Sequence, residues 1–294
     1  MSSLLTYALV GGILYGVFFA LVAIGLNLIF GVMRMINLAH GQFVLLGGYG
    51  AFLLVSHLHL NPIYGLPLAV LGSIVVGIPL YFAVVPRLQA SRDPEMLSFI
   101  LFFGVAQMLD AVLTMIFGAD QRSLPQDALG AGSIAVLGQQ FPDSWWVGAA
   151  VSLLCIGGLY LYFTRSRLGF ATRAIMANRD EALATGIDVQ RVSAIAFVIG
   201  LALAGIAGVF VPYLLGSISP DIGNDLTTTS FAVIIIGSLG DPLGTIVGGL
   251  VFGIGTMYMQ TFYPSWSNLV PYALLVIIVL IRPSGLLGRA VRVT

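Results

Sequence analysis

Four stretches of this chain carry no Asp, Glu, Lys or Arg: residues 1–33, 35–86, 192–220 and 242–281. A helix needs about 20 mostly apolar residues to cross a bilayer, so each stretch holds one or two spans. The expected fold is an all-α polytopic membrane protein with about eight or nine transmembrane helices in one domain, residues 1–294. Spans are expected near 5–30, 41–56, 63–85, 96–117, 145–164, 192–215, 226–239, 243–262 and 267–281. Residues 4–30 have no basic segment before them and are read as a permanent span, not a cleaved signal peptide.

The charges that remain set orientation. All 12 basic residues are arginines, against 12 acids, and this even balance gives no reason to expect a nucleic-acid partner. They cluster as Arg87 and Arg92, as Arg165, Arg167, Arg173, Arg179 and Arg191, and as Arg282, Arg289 and Arg292. Short basic loops stay cytoplasmic. The clusters therefore mark one cytoplasmic side and a cytoplasmic C-terminus, with residues 118–144 and the N-terminus outside. The lack of lysine also excludes a Walker A nucleotide site, which needs a lysine to reach the phosphates. Any ATP that drives this chain is bound, with its magnesium, by another subunit. Cys155 has no partner for a disulfide. His57 and His59 have no Cys or third His nearby, so no metal site is expected.

Two segments interrupt the apolar pattern. The span 226–239 is short, since fourteen residues reach only about 21 Å, and it lies between Gly223 and Gly240-Asp241-Pro242. Transporters use such broken segments to bring backbone polar groups to the membrane midplane, although a short helix packed in the bundle reads the same way. The second interruption, Met33 to Gln42, sets Asn37, His40 and Gln42 among apolar neighbours. Ile218-Ser219-Pro220-Asp221-Ile222-Gly223 echoes its Ile36…Gly41 spacing, as an inverted repeat or by chance. Asn37, His40, Gln42, Ser219 and Asp221 are the candidate pathway residues, because polar groups inside a membrane are costly unless they face a cavity or a partner. His40 equally suits a simple helix–helix hydrogen bond. Glycines four apart, including Gly244 with Gly248 and Gly249 with Gly253, allow close helix packing, whether static or sliding.

Within the hydrophilic stretch 165–191, Asn178-Arg179-Asp180-Glu181 reads as a capped helix start, and Gly186 as its left-handed stop. A two-turn helix over about Arg179–Thr185 follows. Its acids lie at the positive end of the helix dipole. So short a helix does not persist alone in water, and the bundle or a partner must hold it.

Here the chain resembles a known family. Ser166-Arg167-Leu168-Gly169, Arg173-Ala174 and Asn178-Arg179-Asp180-Glu181-Ala182…Gly186-Ile187 are similar to the branched-chain amino-acid ABC importer permeases of the LivH/LivM type. Ile36-Asn37-Leu38-Ala39-His40-Gly41, residues 231–253 and Arg282-Pro283-Ser284-Gly285-Leu286-Leu287-Gly288 extend the resemblance over nearly the whole chain, and the first of these favours the LivH-like type. The resemblance implies a transmembrane permease in the cell (inner) membrane, itself no enzyme, importing branched-chain or other apolar amino acids or a related small solute. It implies a homologous LivM-like permease partner, two cytoplasmic ATPase subunits and a soluble extracytoplasmic solute-binding protein. It also implies that the helix around Glu181 is a coupling helix, with Asp180, Glu181 and Gly186 central and Arg173 and Arg179 as charge contacts. The acidic pair Asp180-Glu181 departs from relatives that carry a single acid and leaves open which carboxylate meets the ATPase. Urea and aromatic-acid importers share these motifs, and a stand-alone carrier or channel is the rival outside the family.

Overall fold

The structure, a computed structural model, describes residues 2–288, so Arg289 and Arg292 lie outside the described residues. Helix α1 spans Ser2–Met33, α2 His40–Leu58, α3 Gly65–Gln89 and α4 Pro94–Phe117. The long loop after α4 carries a short two-stranded antiparallel hairpin, β1 (Ser133–Val136) and β2 (Gln139–Pro142), in a chain that is otherwise all-α as expected. There follow α5 (Asp143–Arg165), α6 (Arg167–Ala177), α7 (Arg179–Ala184), α8 (Val189–Leu214), α9 (Ile222–Gly237), α10 (Pro242–Phe262) and α11 (Val270–Ile281). Eight helical segments among the described residues are long and apolar enough to cross a membrane, the last being α11 together with the turn before it. At 16 residues, α9 is shorter than these.

Helices α1 and α8 form the centre, and α3, α4, α5 and α11 turn apolar side chains such as Val75, Met115, Leu154 and Leu280 outward. In lipid, no hydrophobic drive holds such helices together, so close backbone approach has to. The seam between α1 and α10 does this with Gly12 and Gly16 against Gly249 and Gly253. A Cβ at Gly16 would lie 2.8 Å from the Leu250 Cα and 2.9 Å from the Gly249 oxygen.

The contacts follow a two-fold rule. Helix α1 packs on α10 as α8 packs on α3, α1 on α9 as α8 on α2, and α11 on α9 as α4 on α2, while α1 meets α8 and α2 meets α9. Exchanging α1 with α8, α2 with α9, α3 with α10 and α4 with α11 maps this set onto itself. The central pair is antiparallel: Gly25 touches Gly200, while ten residues back along α1 the Tyr15 hydroxyl donates to the Leu214 carbonyl, fourteen residues further along α8. Two four-helix halves of opposite direction thus interlock, with α5, α6 and α7 inserted between them.

One buried side chain clamps the turn between α9 and α10. Asn27 Nδ2 donates to the Asp241 carbonyl (2.9 Å) and to Thr245 Oγ1 (2.6 Å), and its Oδ1 accepts from the Gly240 N–H (2.6 Å). Asn27→Ala leaves these groups without that partner in an apolar interior, at about 1–3 kcal/mol for a buried unsatisfied group. A fall of several degrees in the thermal midpoint of the purified protein is the expected result. An unchanged midpoint would rule out the clamp. The Arg282–Gly288 motif serves the same end of the molecule: Leu286 and Leu287 donate their N–H groups to the Ile236 and Gly237 carbonyls (2.9 and 3.0 Å), which α9 leaves open at its terminus.

Candidate functional site

The two interruptions meet inside the bundle. After α1 ends at Met33, residues 34–39 turn back, and His40 at the start of α2 reaches the Val22 carbonyl with Nε2 at 2.7 Å. Val22 precedes Met33 by eleven residues, roughly 16 Å along the helix. Helix α2 therefore starts deep within the bundle. Helix α9 starts beside it. The Thr227 hydroxyl accepts from the Gly41 N–H (2.9 Å) and lies 3.0 and 3.2 Å from the Gly223 and Leu38 carbonyls. A Cβ at Gly223 would strike the Gln42 amide.

The sequence echo is also a structural one. The His40 N–H donates to the Asn37 carbonyl as the Ile222 N–H donates to the Ser219 carbonyl, at equal offsets from Ile36 and Ile218. Helix α4 pins both breaks. Ser98, near its start, accepts from the Ile36 N–H at 3.1 Å, while Arg122, just past its end, exchanges two 2.8 Å backbone hydrogen bonds with Ile218.

Asn37, His40 and Gln42 are fully buried, and Ser219 is 3% exposed. Asn37 Nδ2, His40 Nδ1 and both polar atoms of the Gln42 side chain have no hydrogen-bond partner among the described residues. This is an occluded junction rather than an open channel. His40 makes the helix–helix bond that its alternative reading requires. Asp221 is apart from this cluster and exposed, at the entrance to α9.

At the Arg-rich end, Asn178 Oδ1 accepts from the Asp180 and Glu181 N–H groups (3.0 and 3.3 Å), and its Nδ2 donates to Glu181 Oε1 (2.8 Å). The helix closes as expected: Ile187 N–H donates to the Ala182 carbonyl, Gly186 N–H donates to the Leu183 carbonyl, and Gly186 lies at φ +83°. Asp180, Glu181 and Leu183 are exposed and Ala182 is buried. Arg179 turns inward, its Nη2 donating to Gln89 Oε1 at 2.8 Å, which ties α7 to the end of α3. Arg173 lies over the Phe170 ring, 4.9 Å from its centroid.

Sequence reasoning missed α6, the platform for α7. Its signal was Ser166, whose hydroxyl accepts from the Gly169 N–H at 2.8 Å as a helix cap. It also missed Thr227, which carries no distinguishing pattern of its own.

A buried meeting of two helix starts, one from each inverted half, and a capped helix pair at one end belong to a polytopic membrane protein of the permease class. Residues 8–279 match the family described as "Branched-chain amino acid transport system / permease component", and the chain belongs to that family. It is 30% identical to the high-affinity branched-chain amino acid transport system permease protein LivH of Escherichia coli strain K12, over 95% of this chain and 94% of that protein. It is 29% identical to BraD of Pseudomonas aeruginosa, a permease protein of the same description, over 96% and 95% of the two chains. A probable LivH from Methanocaldococcus jannaschii is 27% identical over 95% and 91%. No solved structure matches.

Proposed function

We propose that this permease carries branched-chain amino acids, or closely related apolar amino acids, inward as part of an ATP-driven importer. The carrying observation is similarity to LivH and BraD over 95–96% of the chain. The Arg-rich end is cytoplasmic in this reading. Two separate ATPase subunits hydrolyse the ATP, since a chain without lysine has no Walker A site. A homologous permease completes the path, and a soluble extracytoplasmic protein delivers the solute.

Asp180 and Glu181, with the exposed Leu183 beside them, meet the ATPase, and Gly186 ends the helix that they occupy. Arg173 supports the same surface, and Arg179 passes its movement to α3 through Gln89. Asn37, His40, Gln42 and Ser219 form the closed gate, whose orphaned polar atoms gain water or solute when α2 and α9 part; Asp221 lies on the approach to it. ATP can drive this opening only if its binding differs in affinity between the closed and open arrangements.

Reconstitution with the neighbouring permease, ATPase and binding-protein gene products tests the proposal. ATP-dependent uptake of radiolabelled leucine is expected, and none without ATP. Leucine flux down its gradient through the purified chain alone would instead identify a stand-alone carrier.

A further inference from the structure

A second cavity, separate from the buried junction, lies between the start of α9, the last turns of α10 and the turn leading into α11. It encloses about 340 Å³, within the range of small-molecule sites. Its polar lining includes Asp225, Thr256, Gln260 and Asn268, and its apolar wall includes Phe19 and Phe252, packed edge-to-face at 4.9 Å. Gln260 and Asn268 flank the end of α10 farthest from the Arg-rich face, so the cavity opens toward the opposite side of the molecule.

Three observations point to a ligand. Asp225 is exposed in the first turn of α9 and has no hydrogen-bond or ion-pair partner among the described residues, yet it lies two residues from Thr227 at the deep junction. A carboxylate without a partner inside a membrane is costly unless it faces a cavity or a ligand. Thr256, which lines the cavity, is only 9% exposed, and its buried Oγ1 has no hydrogen-bond partner among the described residues. Third, the lining combines one carboxylate, the side-chain amides of Gln260 and Asn268, and the aromatic rings of Phe19, Phe252 and Tyr272.

We infer that this cavity binds the zwitterionic head of an apolar α-amino acid on its way to the junction. Asp225 takes the ammonium, the amides of Gln260 and Asn268 with the Thr256 hydroxyl take the carboxylate, and the side chain rests on Phe19 and Phe252. The inference rests on the amino-acid reading above and adds the residue that recognises the ammonium.

The test uses the complete reconstituted importer. Asp225→Asn keeps the size of the side chain and removes only its charge. Leucine uptake is expected to fall by at least about tenfold, the loss of one charge-assisted hydrogen bond, while ATP hydrolysis stimulated by the binding protein persists. In a Cys155→Ser background, Asp225→Cys is expected to react with a membrane-impermeant cationic thiosulfonate, and more slowly when leucine is being delivered. Wild-type leucine uptake with an undiminished Asp225→Asn rate overturns this inference alone. An unreactive Cys at 225 also overturns it, since the position is then sealed against a partner or lipid. Absence of leucine uptake by the wild-type complex defeats the amino-acid reading, and this inference with it.

Discussion

Gly41→Val is expected to abolish transport and to leave little folded protein. A Cβ at this position would run into the Gly223 carbonyl oxygen and come within 2.6 Å of Thr227 Oγ1 and 2.7 Å of the Thr227 nitrogen. Two of these three atoms are backbone, so no rotamer change relieves the clash. Helices α2 and α9 would have to separate, losing the Gly41–Thr227 hydrogen bond and opening the buried amide of Gln42. Overpacking of this kind costs about 3 kcal/mol in a close-packed interior, before the lost hydrogen bond is counted. The control is Gly50→Val on the same helix, where an added Cβ meets nothing within 4 Å. Thermal unfolding and leucine uptake of the reconstituted complex should separate the two variants sharply. Equal losses would mean that α2 tolerates no valine anywhere, and the special closeness of the two helix starts would then carry no weight.

The clash depends on features that are unevenly visible in the chain. The spans were legible because bilayer crossing demands long uncharged runs, and the spans expected at 5–30 and 192–215 match α1 and α8 to within three positions at each end. The loop helix was legible because its signals are local: Asn178 caps it, Glu181 stands three residues on, and Gly186 ends it. The junction was half legible. Asn37, His40 and Gln42 stood out as polar groups among apolar ones, and the Ile…Gly echo pointed to Gly223, but nothing in a linear sequence says that Thr227 receives the Gly41 N–H. Helix α6 was hidden because arginines at 167 and 173 make an amphipathic helix look like an ordinary charged loop. The hairpin was hidden as well, since its turn places Leu137 as well as Gly138 in the left-handed region, which leucine rarely adopts. The Asp225 cavity was least legible, because Phe19 comes from α1, some two hundred residues before Asp225 and Gln260 on α9 and α10.

At the opposite end of the molecule, Gly186→Val is expected to cut coupled uptake about thirtyfold while the bundle itself stays folded. Gly186 lies at φ +83°, where a β-branched residue is strained by about 2 kcal/mol, and among the described residues no atom lies within 4 Å of an added Cβ. The effect is therefore one of backbone conformation and not of packing. Relief of the strain unwinds the last turn, breaking the hydrogen bonds from Ile187 to Ala182 and from Gly186 to Leu183. Leu183 and the acidic pair then no longer form one rigid surface, and if that loss falls on the coupled motion, 2 kcal/mol corresponds to about thirtyfold in rate. Asn tolerates the left-handed region better than other side chains, so Gly186→Asn should recover much of the wild-type uptake. Basal ATP hydrolysis by the complex should survive in both variants, with its link to leucine uptake broken only in the valine one. Should valine, asparagine and glycine at 186 support the same uptake per ATP consumed, the shape of this helix end has no part in transmitting force, and α6 with the Arg179–Gln89 tie would have to carry it instead.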